Sequence, residues 1–289
     1  MAGGGERVFL AGHGHTTVGA DRRCVGGGGA AAPVCGEGAV GQPPHPLERQ
    51  KRNPALTLTK VLPMYLPWIL LALALCASSA LAQAQMPKGE YLDGKDSRVA
   101  VILAHGQGLD PDANVVGPLR RAIHKELGFH TLSLSMPTLP GTRPQELFEE
   151  YASTFPDAYG RIQAAIDFLK QEKGVERIYL MGHSMGGRMT SAFLANNPNA
   201  PVAGFIGVGL LAGGKEPLNT NLNLRKVKIP VIDIYAENDR DAKAAEFRKP
   251  LVSDRFVQVP VPGATHNYRG YEKVVADAVN SWLRKQESK

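Results

Sequence analysis

Three side chains along this sequence are of the types that acyl transfer uses. They are Ser184 in Gly182-His183-Ser184-Met185-Gly186, Asp239 in Ala236-Glu237-Asn238-Asp239, and His266 in Gly263-Ala264-Thr265-His266-Asn267. A serine hydroxyl is a poor nucleophile at neutral pH, so His266 would take its proton as general base and return it to the leaving group. Asp239 would hold the imidazole tautomer and stabilise the imidazolium. Backbone N–H groups of Met185 and Gln107 would receive the oxyanion, each contributing roughly 3 kcal/mol. For the carboxylate, Asp233 and Asp241 compete with Asp239. Asp233 lies inside an apolar run, and Asp241 opens a helical pattern as an N-cap would, so Asp239 is preferred. His105 and His183 read as residues that tie their loops by hydrogen bonds. His124 and His130 read as helix-surface and loop residues.

The elements flanking the serine explain why it could be activated. Glu176 to Met181 reads as a strand and Arg188 to Ala195 as a helix, so Ser184 sits at a sharp strand-to-helix turn. Such a turn leaves no room for side chains two residues on either side, which is where Gly182 and Gly186 stand. The helix start also aims free N–H groups at the site of a developing oxyanion. Elsewhere, short apolar runs alternate with longer amphipathic ones. Strands are expected at Val99 to Ala104, Thr131 to Ser135, Val202 to Leu211, Val231 to Tyr235 and Arg255 to Val259. Helices are expected near Val115 to Leu127, Asp157 to Lys173, Asp241 to Lys249 and Tyr271 to Arg284, with a short one at Gln145 to Tyr151. The pattern predicts an α/β fold with a mainly parallel sheet of about six strands, flanked by helices on both faces. Ligands of such sheets bind at the carboxyl ends of the strands, where Ser184, Asp239, His266 and His105-Gly106-Gln107-Gly108 all fall.

On these residues the chain from about Val99 to Arg284 resembles a small α/β-hydrolase. The matching pieces are the elbow around Ser184, the acid loop Tyr235 to Asp239, the histidine loop Gly263 to His266, and His105-Gly106 as the oxyanion loop, with Gly108 beside it. Within the superfamily the chain is similar to compact esterase-like and dienelactone-hydrolase-like members, and the elbow serine favours the former. Early strands and a large inserted cap are not recognisable. The resemblance implies a serine hydrolase acting on a small-molecule carboxylic ester through an acyl-enzyme, without metal or organic cofactor. The same triad would also serve a peptidase, thioesterase or acyltransferase, and the fold alone could serve a non-catalytic envelope binding protein. Leu139, Leu147, Phe148, Tyr151 and Phe155 could wall the site or pack on the core. Ala212 to Lys228 is a second candidate rim.

The first 82 residues differ in character. Residues 1–60 are rich in glycine and proline and lack apolar periodicity, as a disordered or non-native extension would. Residues 61–82 are uncharged, follow a basic flank of Arg49, Lys51, Arg52 and Lys60, and combine the apolar run Trp68 to Leu75 with small residues at Ala80 and Ala82. That is the pattern of a signal peptide cut near Ala82, with a retained membrane anchor as the alternative. Residues 83–289 would then form the exported domain, periplasmic or secreted. All three cysteines precede the cut, so that domain would hold no disulfide. The net charge of +6 is too mild and scattered to argue for nucleic acid.

Overall fold

A computed structural model describes residues 83–139 and 148–289. The readings of residues 1–82 and of Gln145 to Leu147 fall outside these residues; in place of the helix expected up to Tyr151, a short 3₁₀ helix spans Glu150–Thr154. Seven strands form one sheet: β1 Gly89–Leu92, β2 Val99–Ala104, β3 His130–Leu134, β4 Arg177–His183, β5 Gly204–Val208, β6 Val231–Ala236 and β7 Phe256–Val261. Their order is β1-β3-β2-β4-β5-β6-β7, all parallel except the antiparallel pair β1/β3. The extra strand is β1. It is four residues long, only partly buried and carries Glu90, so it lacks the apolar run that marks the inner strands.

The inner strands are apolar on both faces because helices cover both. Along β2, Val101 and Leu103 point to one side and Ala100, Ile102 and Ala104 to the other, as the two-residue period of a strand requires. On the first side lie α1 (Val116–Leu127) and α6 (Glu272–Glu287), through Leu119, Ile123, Val275, Val279 and Leu283. On the second lie α2 (Phe155–Lys173) and α3 (Met185–Asn196), through Ile162, Ile166, Leu169, Met189 and Phe193. Two shorter helices, α4 (Thr220–Leu224) and α5 (Arg240–Glu246), follow β5 and β6. Among the described residues no large cap is inserted between strands. No described helix is long and apolar enough to cross a membrane.

Two features of this framework position the site. The strand order reverses between β2 and β4, so the loop after β2 and the turn after β4 open side by side, which is where open α/β sheets bind ligands. In addition, Asp233 in β6 is fully buried in a bidentate pair with Arg248, at 2.8 and 2.9 Å. Gln258 donates to the same carboxylate and Asn221 accepts from the guanidinium. With its oxygens taken by that network, Asp233 fastens β6 to the segment after α5 and is not available to the site.

Candidate active site

Ser184 occupies the turn between β4 and α3 with φ 53° and ψ −117°, a conformation that costs a non-glycine residue about 1–3 kcal/mol. The surrounding structure enforces it. A Cβ added at Gly182 would come within 2.3 Å of Thr190 Oγ1, and one at Gly186 within 2.3 Å of the Ala104 carbonyl oxygen. Both glycines are therefore required by close approach, as the spacing predicted. α3 starts at Met185, three residues earlier than the apolar pattern suggests, so the N–H groups of its first turn are free of intrahelical partners beside Ser184.

His266 is braced from three directions. Its backbone N–H donates to Asp239 Oδ2 (2.8 Å), its carbonyl accepts from His183 Nε2 (3.1 Å), and its ring Nδ1 meets Asp241 Oδ1 (2.7 Å). The carboxylate holding the imidazole is thus Asp241, and the expectation for Asp239 is corrected. Asp239 is the N-cap of α5, with Oδ1 accepting the Arg240 N–H at 2.7 Å. Asp241 is the second residue inside that helix and is wholly buried. Its second oxygen accepts from Tyr268 Oη (3.3 Å). The helix begins at Arg240, one residue before the expected start, so the cap falls to Asp239 and Asp241 turns inward. Gly209, with φ +59°, makes space behind the pair: a Cβ there would stand 3.0 Å from Asp241 Oδ2 and 3.2 Å from His266 Nδ1.

Because a carboxylate can only accept, Nδ1 of His266 carries the proton and Nε2 presents its lone pair. That Nε2 is buried without a hydrogen-bond partner among the described residues. Ser184 and His266 line one cavity of about 480 Å³, together with Gly106, Gln107, Leu109 and Met185. This is the size range of small-molecule sites. Gln107 and Met185 thus line the same cavity as Ser184.

The two other histidines near the site tie loops, as expected. His105 is buried; its Nδ1 donates to the Gly106 carbonyl (2.9 Å) and its Nε2 accepts from the Met136 N–H (2.9 Å). Desolvation holds its pKa below the ordinary value. His183 is driven further, to about 3, by burial first and then by the neighbouring His266, whose ring centroid is 5.0 Å away. Both rings are neutral at physiological pH and act as fixed hydrogen-bonding spacers.

The far wall combines one expected and two unexpected residues. Phe148 reaches the cavity, whereas Tyr151 and Phe155 are buried in the core and Leu139 packs against it. Arg188 and Arg240 also line the cavity. Arg188 lies on α3 four residues after Ser184, and its Nη atoms donate to the carbonyls of Ala212, Gly213 and Leu218. It thereby fixes the start of the segment expected as a second rim. Burial, and then the charge of Arg240, lower its pKa to about 10, so it stays a cation. The sequence signal was available, since the run Gly186-Gly187-Arg188 puts a cation one helical turn from the serine.

The fold agrees with the comparisons. Residues 97–285 match the model of the alpha/beta hydrolase domain, and the chain belongs to that family. Among solved structures it is similar to Est1E from Butyrivibrio proteoclasticus, at 18% identity and TM-score 0.50, over 71% of this chain and 93% of that one. It is also similar to an α/β serine hydrolase without lid from Xanthomonas campestris, at 15% identity and TM-score 0.51, over 70% and 86%. A dienelactone hydrolase from Anabaena variabilis aligns at 20% identity and TM-score 0.51, over 70% and 94%. At these identities the likeness is one of fold. Comparison with curated protein sequences returned no match.

Proposed function

We propose that this protein is a serine hydrolase that cleaves a carboxylic ester through a covalent acyl-enzyme, with Ser184 as nucleophile, His266 as base and Asp241 as the acid. The observation that carries this reading is the unpartnered Nε2 of an imidazole fixed by a buried carboxylate, facing the same cavity as a strained elbow serine. Ser184 Oγ attacks the ester carbonyl carbon as its proton passes to His266 Nε2. The resulting oxyanion is met by the N–H groups of Met185 and Gln107. As the C–O bond to the alcohol breaks, the leaving oxygen takes the proton back from Nε2. Water then attacks the acyl-enzyme by the same route and frees Ser184. Asp241 stays ionised and stabilises the imidazolium formed in each half-reaction.

Export belongs to the same proposal: residues 61–82 would direct residues 83–289 to the periplasm or the medium. The enzymatic test is hydrolysis of p-nitrophenyl esters from acetate to palmitate, beside Ser184→Ala and His266→Ala. Turnover by wild type, with both variants several orders of magnitude slower, supports the reading. Folded wild type that leaves every ester intact contradicts it, and a thioester, amide and peptide panel would then identify any other acyl group it accepts.

A further inference from the structure

The guanidinium of Arg188 is a buried cation that no carboxylate contacts among the described residues. The side chain is 3% exposed, and its hydrogen-bond partners are three neutral carbonyls. The Phe148 ring stacks over it with the guanidinium carbon 4.3 Å from the ring centroid, which dries one face. Glu149 acts on it electrostatically, from an exposed position, without an ion pair. Guanidinium has five N–H groups, and the three carbonyls take three, leaving two directions for a further acceptor. Arg240, exposed and without an ion pair among the described residues, stands on the same cavity wall. No aspartate or glutamate lines that wall among the described residues. A desolvated cation beside a reacting centre is compensated best by an anion that arrives with the ligand.

Position decides which part of the substrate carries that anion. Ser184 is the N-cap of α3 and Arg188 lies four residues on, about 6 Å further along the axis, and both line the same cavity. The acyl group is the part of the substrate bonded to Ser184 in the acyl-enzyme, and the buried Arg188 on the same cavity is the cation available to its far end.

Resting on the serine-hydrolase reading above, we propose that the substrate is an ester whose acyl chain ends in a carboxylate. Such a half-ester of a short dicarboxylic acid is received by Arg188, with the exposed Arg240 as a second cation on the same cavity. A planar fork suits a carboxylate, and a charge-assisted contact made in a dry cavity discriminates strongly against a methyl group in its place.

The test compares 4-nitrophenyl hemiadipate with 4-nitrophenyl hexanoate, acyl chains of equal carbon number, on wild type, Arg188→Gln and Arg240→Gln, with spontaneous hydrolysis subtracted. Wild type should favour the hemiester in kcat/KM by at least about tenfold. The ratio should fall to about one in Arg188→Gln and partway in Arg240→Gln. A role for Arg188 confined to holding residues 212–218 would slow both esters alike and leave the ratio unchanged, which overturns the proposal. So does a wild type that cleaves the neutral ester as well or better. Should Arg188→Gln fail to fold, the Arg240→Gln ratio and calorimetry of adipate against hexanoate on wild type decide. Adipate binding no tighter than hexanoate overturns the site. Failure of the hydrolase reading is distinct: it shows as neither ester turning over and no labelling by a fluorophosphonate, and calorimetry still tests the arginines.

Discussion

Replacing Asp241 by asparagine should abolish nearly all activity while leaving the fold intact, whereas removing the Asp239 carboxylate should do the reverse. Asp241 Oδ1 lies 2.7 Å from His266 Nδ1, and the whole carboxylate is buried. At an effective dielectric near 20, a carboxylate about 4 Å from the imidazolium charge stabilises it by about 4 kcal/mol, or roughly a thousandfold in rate. An asparagine amide can also donate to the ring and shift the proton onto Nε2, which brings the loss to about 10⁴. Stability should change by less than about 1 kcal/mol, because a buried charge is replaced by an amide of the same shape. Asp239→Ala deletes a helix cap and the acceptor of the His266 N–H, costing about 1 kcal/mol or slightly more. Its effect on kcat/KM should stay within about tenfold, since the ring keeps its carboxylate. The assay is kcat/KM on the best p-nitrophenyl ester, paired with urea unfolding of each variant. Equal losses of activity at the two positions, or an Asp241→Asn enzyme within tenfold of wild type, would refute this division of roles.

Three further outcomes follow from the same coordinates. Gly186→Ala should destabilise by at least about 1–3 kcal/mol, because its Cβ would meet backbone oxygens of Ala104 and His105 at 2.3 and 2.5 Å. Gly160→Ala, at an exposed position of α2 with nothing within 4 Å, should instead stabilise by about 0.5–1 kcal/mol; urea midpoints compare the two. Arg248→Met should cost about 3–5 kcal/mol by stranding the Asp233 charge, and adding Asp233→Asn should restore part of it in a thermal or urea melt. His183 titrates near 3 in the fold against 6.5 ordinarily. The unfolded chain therefore takes up a proton there first as pH falls. The stability from keeping His183 neutral is complete above about pH 6.5 and declines toward pH 3, by up to about 1.4 kcal/mol per pH unit. His183→Gln should lower the slope of unfolding free energy against pH by that amount between pH 6.5 and 5; an unchanged slope would exclude it as the source.

The legible parts of this molecule were those written in local patterns. The inner strands are short apolar runs because helices cover both faces, and the elbow announces itself through two glycines flanking a serine. β1 escaped notice because an edge strand of four half-buried residues has neither a full apolar run nor clean alternation. The acid was misplaced for a different reason. Asp239 and Asp241 are two residues apart, and which one caps α5 and which turns inward depends on a helix start that propensity locates only to within a residue or two. Asp233 was set aside on burial alone, and the structure supplies the cause in its partner Arg248, 15 residues away in sequence. In the sequence Arg188 only opens a helical run, since its meeting with residues 212–218 and Phe148 depends on tertiary packing across 24 to 40 residues of chain.

The most direct test of the central claim is intact-protein and peptide mass measurement after exposure of the folded protein to a fluorophosphonate. One adduct per chain is expected, mapped to Ser184, absent from Ser184→Ala and strongly slowed in His266→Ala and Asp241→Asn. A folded protein that takes up no adduct, or takes it up equally well after Ser184→Ala, would contradict the assignment of Ser184 as an activated nucleophile.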